Sequence, residues 1–252
     1  MSAVTWLAQN KRARDFELVG TVRRVTGALW LPETVSRQTP VVLLGHGASG
    51  DRYQAPIPYL AKQFVQQAGF AALAIDGPVH GLRKVEPGGR EAFFKEAQRP
   101  TFVDDMVTDW LDTYRAIRSE CDVGHGPLGY FGLSMGTIFG VPLLASKLSF
   151  QAAVIGLCGT TGVGGLLADR LRQDAQHIEH PVSFLMQLED ELFPREGYLD
   201  LFDTLASEDK RLHANPGLHP EVPAEEVDHA FDFLHKQLTG QAERRIVNPL
   251  AQ

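Results

Sequence analysis

Cysteine is scarce in this chain: Cys121 and Cys158 are the only two among 252 residues. Two thiols support neither a disulfide framework nor a cysteine-built metal cluster, and they fit a reducing compartment. Any run of about 18 apolar residues is also missing, so the sequence offers no membrane span. Basic blocks are missing too. With 24 Lys and Arg against 31 Asp and Glu, the formal net charge is −7, which argues against nucleic acid as the main partner. The stretch from Met1 to Phe16 carries Lys11, Arg12, Arg14 and Asp15 and has no apolar core of signal-peptide length. A cytoplasmic protein without membrane association is expected. Repeats, low-complexity tracts and linkers are likewise absent.

What is present is an ordinary globular balance of 44% hydrophobic and 22% charged residues. A chain of this length fits one α/β domain, 1–252, with a full-sized core. Residues Glu17 to Leu31 alternate apolar and polar, which predicts a short antiparallel pair at a sheet edge. Pro40 to Leu44, Phe70 to Ile75, Gly129 to Leu133, Gln151 to Leu157 and Pro181 to Leu188 read as strands, most of them nearly continuous apolar runs covered on both faces. Lys210 to Ala214 is a last short strand. Helical spacing fills Tyr59 to Gly69, Thr101 to Ser119, the segment up to Leu148, Gly162 to His177, Arg195 to Ser207 and Val222 to Leu238. On the helix from Thr101 the inward stripe is Val103, Val107, Leu111, Tyr114 and Ile117. The tail beyond Gly240 reads as loosely held. Such alternation implies a mostly parallel sheet between helices, with ligands bound beyond the carboxyl ends of the strands.

One stretch carries the chemistry: Gly129-Tyr130-Phe131-Gly132-Leu133-Ser134-Met135-Gly136. An apolar strand runs into Gly-x-Ser-x-Gly and on into an apolar helix. Serine there is forced onto a tight turn that lifts its hydroxyl clear of the backbone, with the helix amides turned toward it. Roughly 0.08 such pentapeptides are expected by chance in this composition, so the flanking strand and helix matter as much as the pattern. Ser134 is the candidate nucleophile.

A serine hydroxyl needs a base, and the base needs an orienting group. In this kind of sheet the acid and then the histidine follow the serine. Leu188-Glu189-Asp190-Glu191-Leu192-Phe193-Pro194 follows a strand directly. Asp190 is the best placed, Glu189 the runner-up, and Glu191 is expected to be solvated. Of nine histidines, His46 and His80 sit in strand-end turns before the serine, where they hold loops. His219 lies in a strand-exit loop, Asn215 to Pro220, just before the last helix, and is the preferred base, with His213 and His229 as fallbacks. The oxyanion of a tetrahedral intermediate needs two backbone N–H donors, each contributing about 3 kcal/mol. Met135 follows the nucleophile and Ala48 lies in the small-residue loop Gly45 to Gly50. Leu133 and Phe193 are the candidates for substrate contact.

Together these residues make the chain resemble the α/β-hydrolase superfamily over nearly its whole length, in particular its compact serine esterases and dienelactone-hydrolase-like members. The matching pieces are Gly45-His46-Gly47, Asp76-Gly77-Pro78-Val79-His80-Gly81, Gly132 to Gly136, Asp190 and His219. The resemblance implies an about eight-stranded, mostly parallel sheet flanked by helices on both faces. It also implies two-step acyl transfer with no metal or organic cofactor. The chain departs from the family at two points: serine stands at 134 where dienelactone hydrolases use cysteine, and Pro78-Val79 precede the histidine of the glycine-rich turn.

The expected activity is hydrolysis of small-molecule carboxylic esters by Ser134, His219 and Asp190 through an acyl-enzyme. A peptidase, thioesterase or C–C bond hydrolase would use the same three groups, and a non-catalytic binding protein on the same fold is the remaining alternative. The segment Leu82 to Pro100 lacks a clear period and is expected to be an irregular active-site loop or small cap. There Phe93 and Phe94 stand among Arg83, Lys84, Arg90 and Lys95, either to admit a small or acidic acyl group or simply as a solvated loop packed over two rings.

Overall fold

The computed structural model describes residues 4–10, 13–86 and 89–242; the tail expected beyond Gly240 lies almost wholly outside the described residues. Among the described residues nine strands form one sheet: β1 (Val4–Asn10), β2 (Ala13–Val19), β3 (Arg24–Trp30), β4 (Val41–Gly45), β5 (Ala71–Ile75), β6 (Leu128–Leu133), β7 (Ala152–Gly156), β8 (Val182–Gln187) and β9 (Lys210–Asn215). Their order is β1-β2-β3-β5-β4-β6-β7-β8-β9. From β5 through β9 every neighbouring pair is parallel. The three N-terminal strands are antiparallel. The sheet therefore has nine strands where about eight were expected. The extra one is β1, whose alternation is interrupted by a register shift between Trp6 and Gln9, so it gives no clean period-two signal.

The apolar runs are explained by helices on both faces. In β4, Val41 and Leu43 join one buried cluster while Val42 and Leu44 join the other. In β5, Leu73 and Ile75 face the first cluster and Ala72 and Ala74 the second. Helices α1 (Ile57–Gln63) and α7 (Ala224–Leu238) supply the second cluster through Leu60, Phe231 and Leu234. On the opposite face lie α3 (Phe102–Cys121), α4 (Met135–Leu144), α5 (Ala168–Ala175) and α6 (Arg195–Thr204). Every residue of α4 is buried, as an apolar helix without a polar face requires.

Two expectations need correction. The inward stripe of α3 is rotated: Val103, Met106, Trp110, Tyr114 and Ile117 are buried, whereas Val107 and Leu111 are only half-buried. Asp109 takes an inward position because two guanidiniums meet it, Arg23 Nε at 2.8 Å and Arg83 Nη1 at 2.9 Å. The Leu82 to Pro100 excursion is also less irregular than expected, since it contains a helix, α2 (Gly89–Ala97). Its described inward apolar anchors are Ala92 and the half-buried Phe93 and Ala97, which is too few to print a clear helical period. Arg83 is not presented to a ligand, being buried in the Asp109 pair and bonded to the Asp76 carbonyl at 2.9 Å. Phe94 is exposed, and the Arg90 side chain lies outside the described residues. Among the described residues no helix is long and apolar enough to cross a membrane.

Candidate active site

Ser134 sits between β6 and α4 with φ 58° and ψ −119°, a left-handed conformation costly for a side chain bearing Cβ. The surroundings hold it there. Its N–H donates to Gly156 O at 3.0 Å, and its carbonyl accepts from Thr137 and Ile138. Thr137 Oγ1 lies 2.8 Å from Gly132 O and 2.6 Å from Gly156 O, and it accepts the Gly156 N–H at 2.9 Å. Strand, elbow and helix are thus pinned by one hydroxyl. Gly136 is required by contact: a Cβ there would stand 2.7 Å from the Gly45 carbonyl oxygen.

The structure brings Ser134, His219 and Asp190 together. Ser134 Oγ lies 2.9 Å from His219 Nε2, and His219 Nδ1 lies 2.7 Å from Asp190 Oδ2. Because the carboxylate only accepts, Nδ1 carries the hydrogen and Nε2 is left to accept from the serine. The side chain of Asp190 is only 1% exposed. Burial alone would raise its carboxyl. Hydrogen bonds from His219, from the Tyr198 hydroxyl and from the N–H groups of Phe193 and Leu192 outweigh burial and hold it below the ordinary value. Those two amides reach Oδ1 at 3.0 and 2.7 Å. Phe193 packs its ring against the imidazole, centroids 5.5 Å apart.

The histidine loop is tied down by carboxylates. Glu191 accepts the His219 N–H at 2.9 Å and Glu221 the Leu218 N–H at 2.7 Å, while Glu189 accepts the Gly217 N–H. Glu191, expected to be merely solvated, therefore anchors the backbone of His219. His213 and His229 pack against one another with ring centroids 4.3 Å apart, and His213 Nδ1 meets Glu226 at 2.8 Å.

Gly45 to Gly50 leaves β4 beside the elbow. His46 Nδ1 donates to Gly47 O at 2.8 Å and its Nε2 accepts the Gly77 N–H at 2.8 Å, which fixes the neutral tautomer. Burial, reinforced by the nearby His80, pushes its pKa down to about 4. His80 Nε2 lies 3.0 Å from Ala48 O, and its ring meets Phe93 of α2 edge-on with centroids 5.6 Å apart. Ala48 is exposed at the turn. Met135 opens α4, where a helix leaves its first N–H groups without internal partners. Leu133 is buried directly before the serine. Among the described residues no group of three or more His, Cys, Asp and Glu is disposed to hold a metal ion.

An arrangement of this kind can move a proton from a hydroxyl to an imidazole and stabilise the resulting cation. Sequence reasoning missed Tyr198, because a tyrosine on the inward face of an amphipathic helix reads as core.

The profile of the dienelactone hydrolase family matches residues 25–237. No curated protein matches the sequence. A cold-adapted esterase from an Arctic intertidal metagenomic library is 31% identical, with TM-score 0.76, covering 93% of this chain and 99% of that one. The dienelactone hydrolase of Anabaena variabilis is 20% identical, with TM-score 0.62 over 95% of this chain and 98% of that one. An acetyl xylan esterase from Paenibacillus is 16% identical, with TM-score 0.73 over 94% of this chain and 89% of that one. At those lower identities the likeness is one of fold.

Proposed function

Since this chain belongs to the dienelactone hydrolase family, we propose that it is a serine esterase cleaving small-molecule carboxylic esters. The observation that carries this reading is the unbroken run from Ser134 Oγ through His219, at 2.9 and 2.7 Å, to Asp190. His219 takes the serine proton as Oγ attacks the ester carbonyl. The tetrahedral oxyanion is held by the N–H groups of Ala48 and Met135, and Asp190 stabilises the imidazolium. His219 then returns its proton to the departing alcohol. In the second half it activates a water that releases the acid from Ser134.

Leu133 and Phe193 flank the nucleophile and base and are our choice for substrate contacts. We take the chain as one catalytic domain with 82–100 as a small cap, joined to the oxyanion loop through Phe93 and His80. Short acyl groups are favoured, because 82–100 is too short to roof a long chain.

Ser134→Ala tests the assignment. It should abolish hydrolysis of p-nitrophenyl acetate and labelling by a fluorophosphonate, with the circular dichroism and melting curve kept. Undiminished hydrolysis in that variant overturns the reading. A series of ester, thioester and amide substrates of rising acyl length then fixes the substrate class.

A further inference from the structure

Four hydrogen-bond donors converge on Asp190. Oδ1 takes the Leu192 and Phe193 amides, and Oδ2 takes both His219 Nδ1 at 2.7 Å and the Tyr198 hydroxyl. A carboxylate offers about four good acceptor positions, so this one is saturated, and its base and a tyrosine share a single oxygen. Tyr198 has no other route to water: it is fully buried on α6, edge-on to Phe184 and Phe193 with centroids 6.3 and 6.2 Å away. A phenol in that position must donate to something, and what it meets is the group that orients the base.

We propose that Tyr198 is a positioning residue of the active site, which holds Oδ2 of Asp190 toward His219 and, by sharing that oxygen, limits how strongly the carboxylate stabilises the imidazolium. This rests on the esterase reading above. The physical reason is charge. A hydrogen bond drawn from Tyr198 removes electron density from the oxygen that faces Nδ1–H, so the imidazolium is held less tightly and gives its proton to the leaving alcohol more readily. The same bond fixes the carboxylate plane, since the two amides on Oδ1 alone would leave Oδ2 free to swing.

The other titratable groups facing the cluster come from three elements. Cys158, at the exit of β7, is a buried thiol pushed up by desolvation and by the Asp190 charge. Glu189 and Glu191 follow β8 and Glu221 follows β9, and all three carboxylates are engaged with backbone N–H groups of the histidine loop. None of them donates to Asp190 Oδ2, so the tyrosine's contribution is separable by substitution.

Tyr198→Phe keeps the ring and removes the hydroxyl that donates to Asp190. With p-nitrophenyl acetate, kcat should fall about threefold to tenfold, the worth of one hydrogen bond. The acidic limb of the kcat/KM profile should move up by about half a pH unit, and the His219 Nδ1 proton signal should move downfield. Replacing Tyr198 by 3-fluorotyrosine, a stronger donor of nearly the same shape, should move the limb the opposite way; it provides the readout should Tyr198→Phe fold poorly. A role in packing alone would leave both limb and proton signal where they are. If Ser134→Ala is inactive and the profiles of both Tyr198 variants superimpose on the parent, the tyrosine proposal is wrong while the esterase reading stands. If Ser134→Ala stays active, it is the esterase reading that fails.

Discussion

His46 donates its Nδ1 hydrogen to the carbonyl of Gly47, 2.8 Å away, and that carbonyl shares a peptide with the Ala48 N–H. The opposite ring nitrogen accepts from Gly77 at 2.8 Å. A peptide whose oxygen is engaged in this way has its N–H oriented and further polarised. His46→Ala would leave the Gly47 carbonyl and the Gly77 amide without that partner. Turnover should drop about tenfold to a hundredfold with KM little changed, and stability should fall by about 2 kcal/mol. Steady-state kinetics and urea denaturation check the two parts separately.

The same histidine makes stability depend on pH. Its folded pKa is pushed down to about 4 from an ordinary 6.5, first by burial. The unfolded chain therefore binds a proton that the folded one refuses. Stability from this group is complete above 6.5, begins to drain as pH falls below it and is lost once pH passes about 4. The whole effect is of order 3 kcal/mol. Denaturant midpoints recorded from pH 7 to pH 4 should slope more steeply for the parent than for His46→Gln.

Gly136→Ala would place a methyl 2.7 Å from the Gly45 carbonyl oxygen, with backbone on both sides. Neither can yield cheaply. The variant should melt several degrees lower and lose at least about tenfold in turnover, since the Met135 amide moves with the helix start. Calorimetry paired with an acetate assay would detect a methyl that is tolerated.

Glu191 anchors the His219 N–H at 2.9 Å from an exposed position. Glu191→Ala should slow turnover several-fold while the melting temperature barely moves, because what is lost is the aim of the loop and not core packing. The His219 amide holds the Glu191 carboxyl below its ordinary 4.5. The anchor is therefore in place above that value and is released as pH falls through the lower one.

Much of this was legible before any coordinates. Valine- and leucine-rich runs such as Val41 to Leu44 announce strands covered on both faces, and Gly132 to Gly136 announces the elbow, because both follow from local sterics. That Ser134, Asp190 and His219 would lie together could be anticipated, since chain order and strand ends restrict the choice. What stayed hidden depends on partners distant in sequence. β1 is defined by its pairing with β2 more than by its own pattern. Asp109 points inward only because Arg23 and Arg83 come to meet it. Tyr198 gives no sign of itself, being one more aromatic on a buried helical face until Asp190 is seen beside it. Glu191 looked like any solvated acid, because an amide 28 residues away is invisible to local reasoning.

The strand order also sets a timetable. Ser134 leaves β6, near the middle of the sheet, and its imidazole partner is 85 residues further along, past three more strands at roughly 5 Å each. A chain made from its N-terminus and folding as it emerges would assemble the elbow while the proton acceptor was still unmade. Hydrolytic competence would arrive only when the final strand docks, so a nascent or truncated molecule would carry the nucleophile harmlessly.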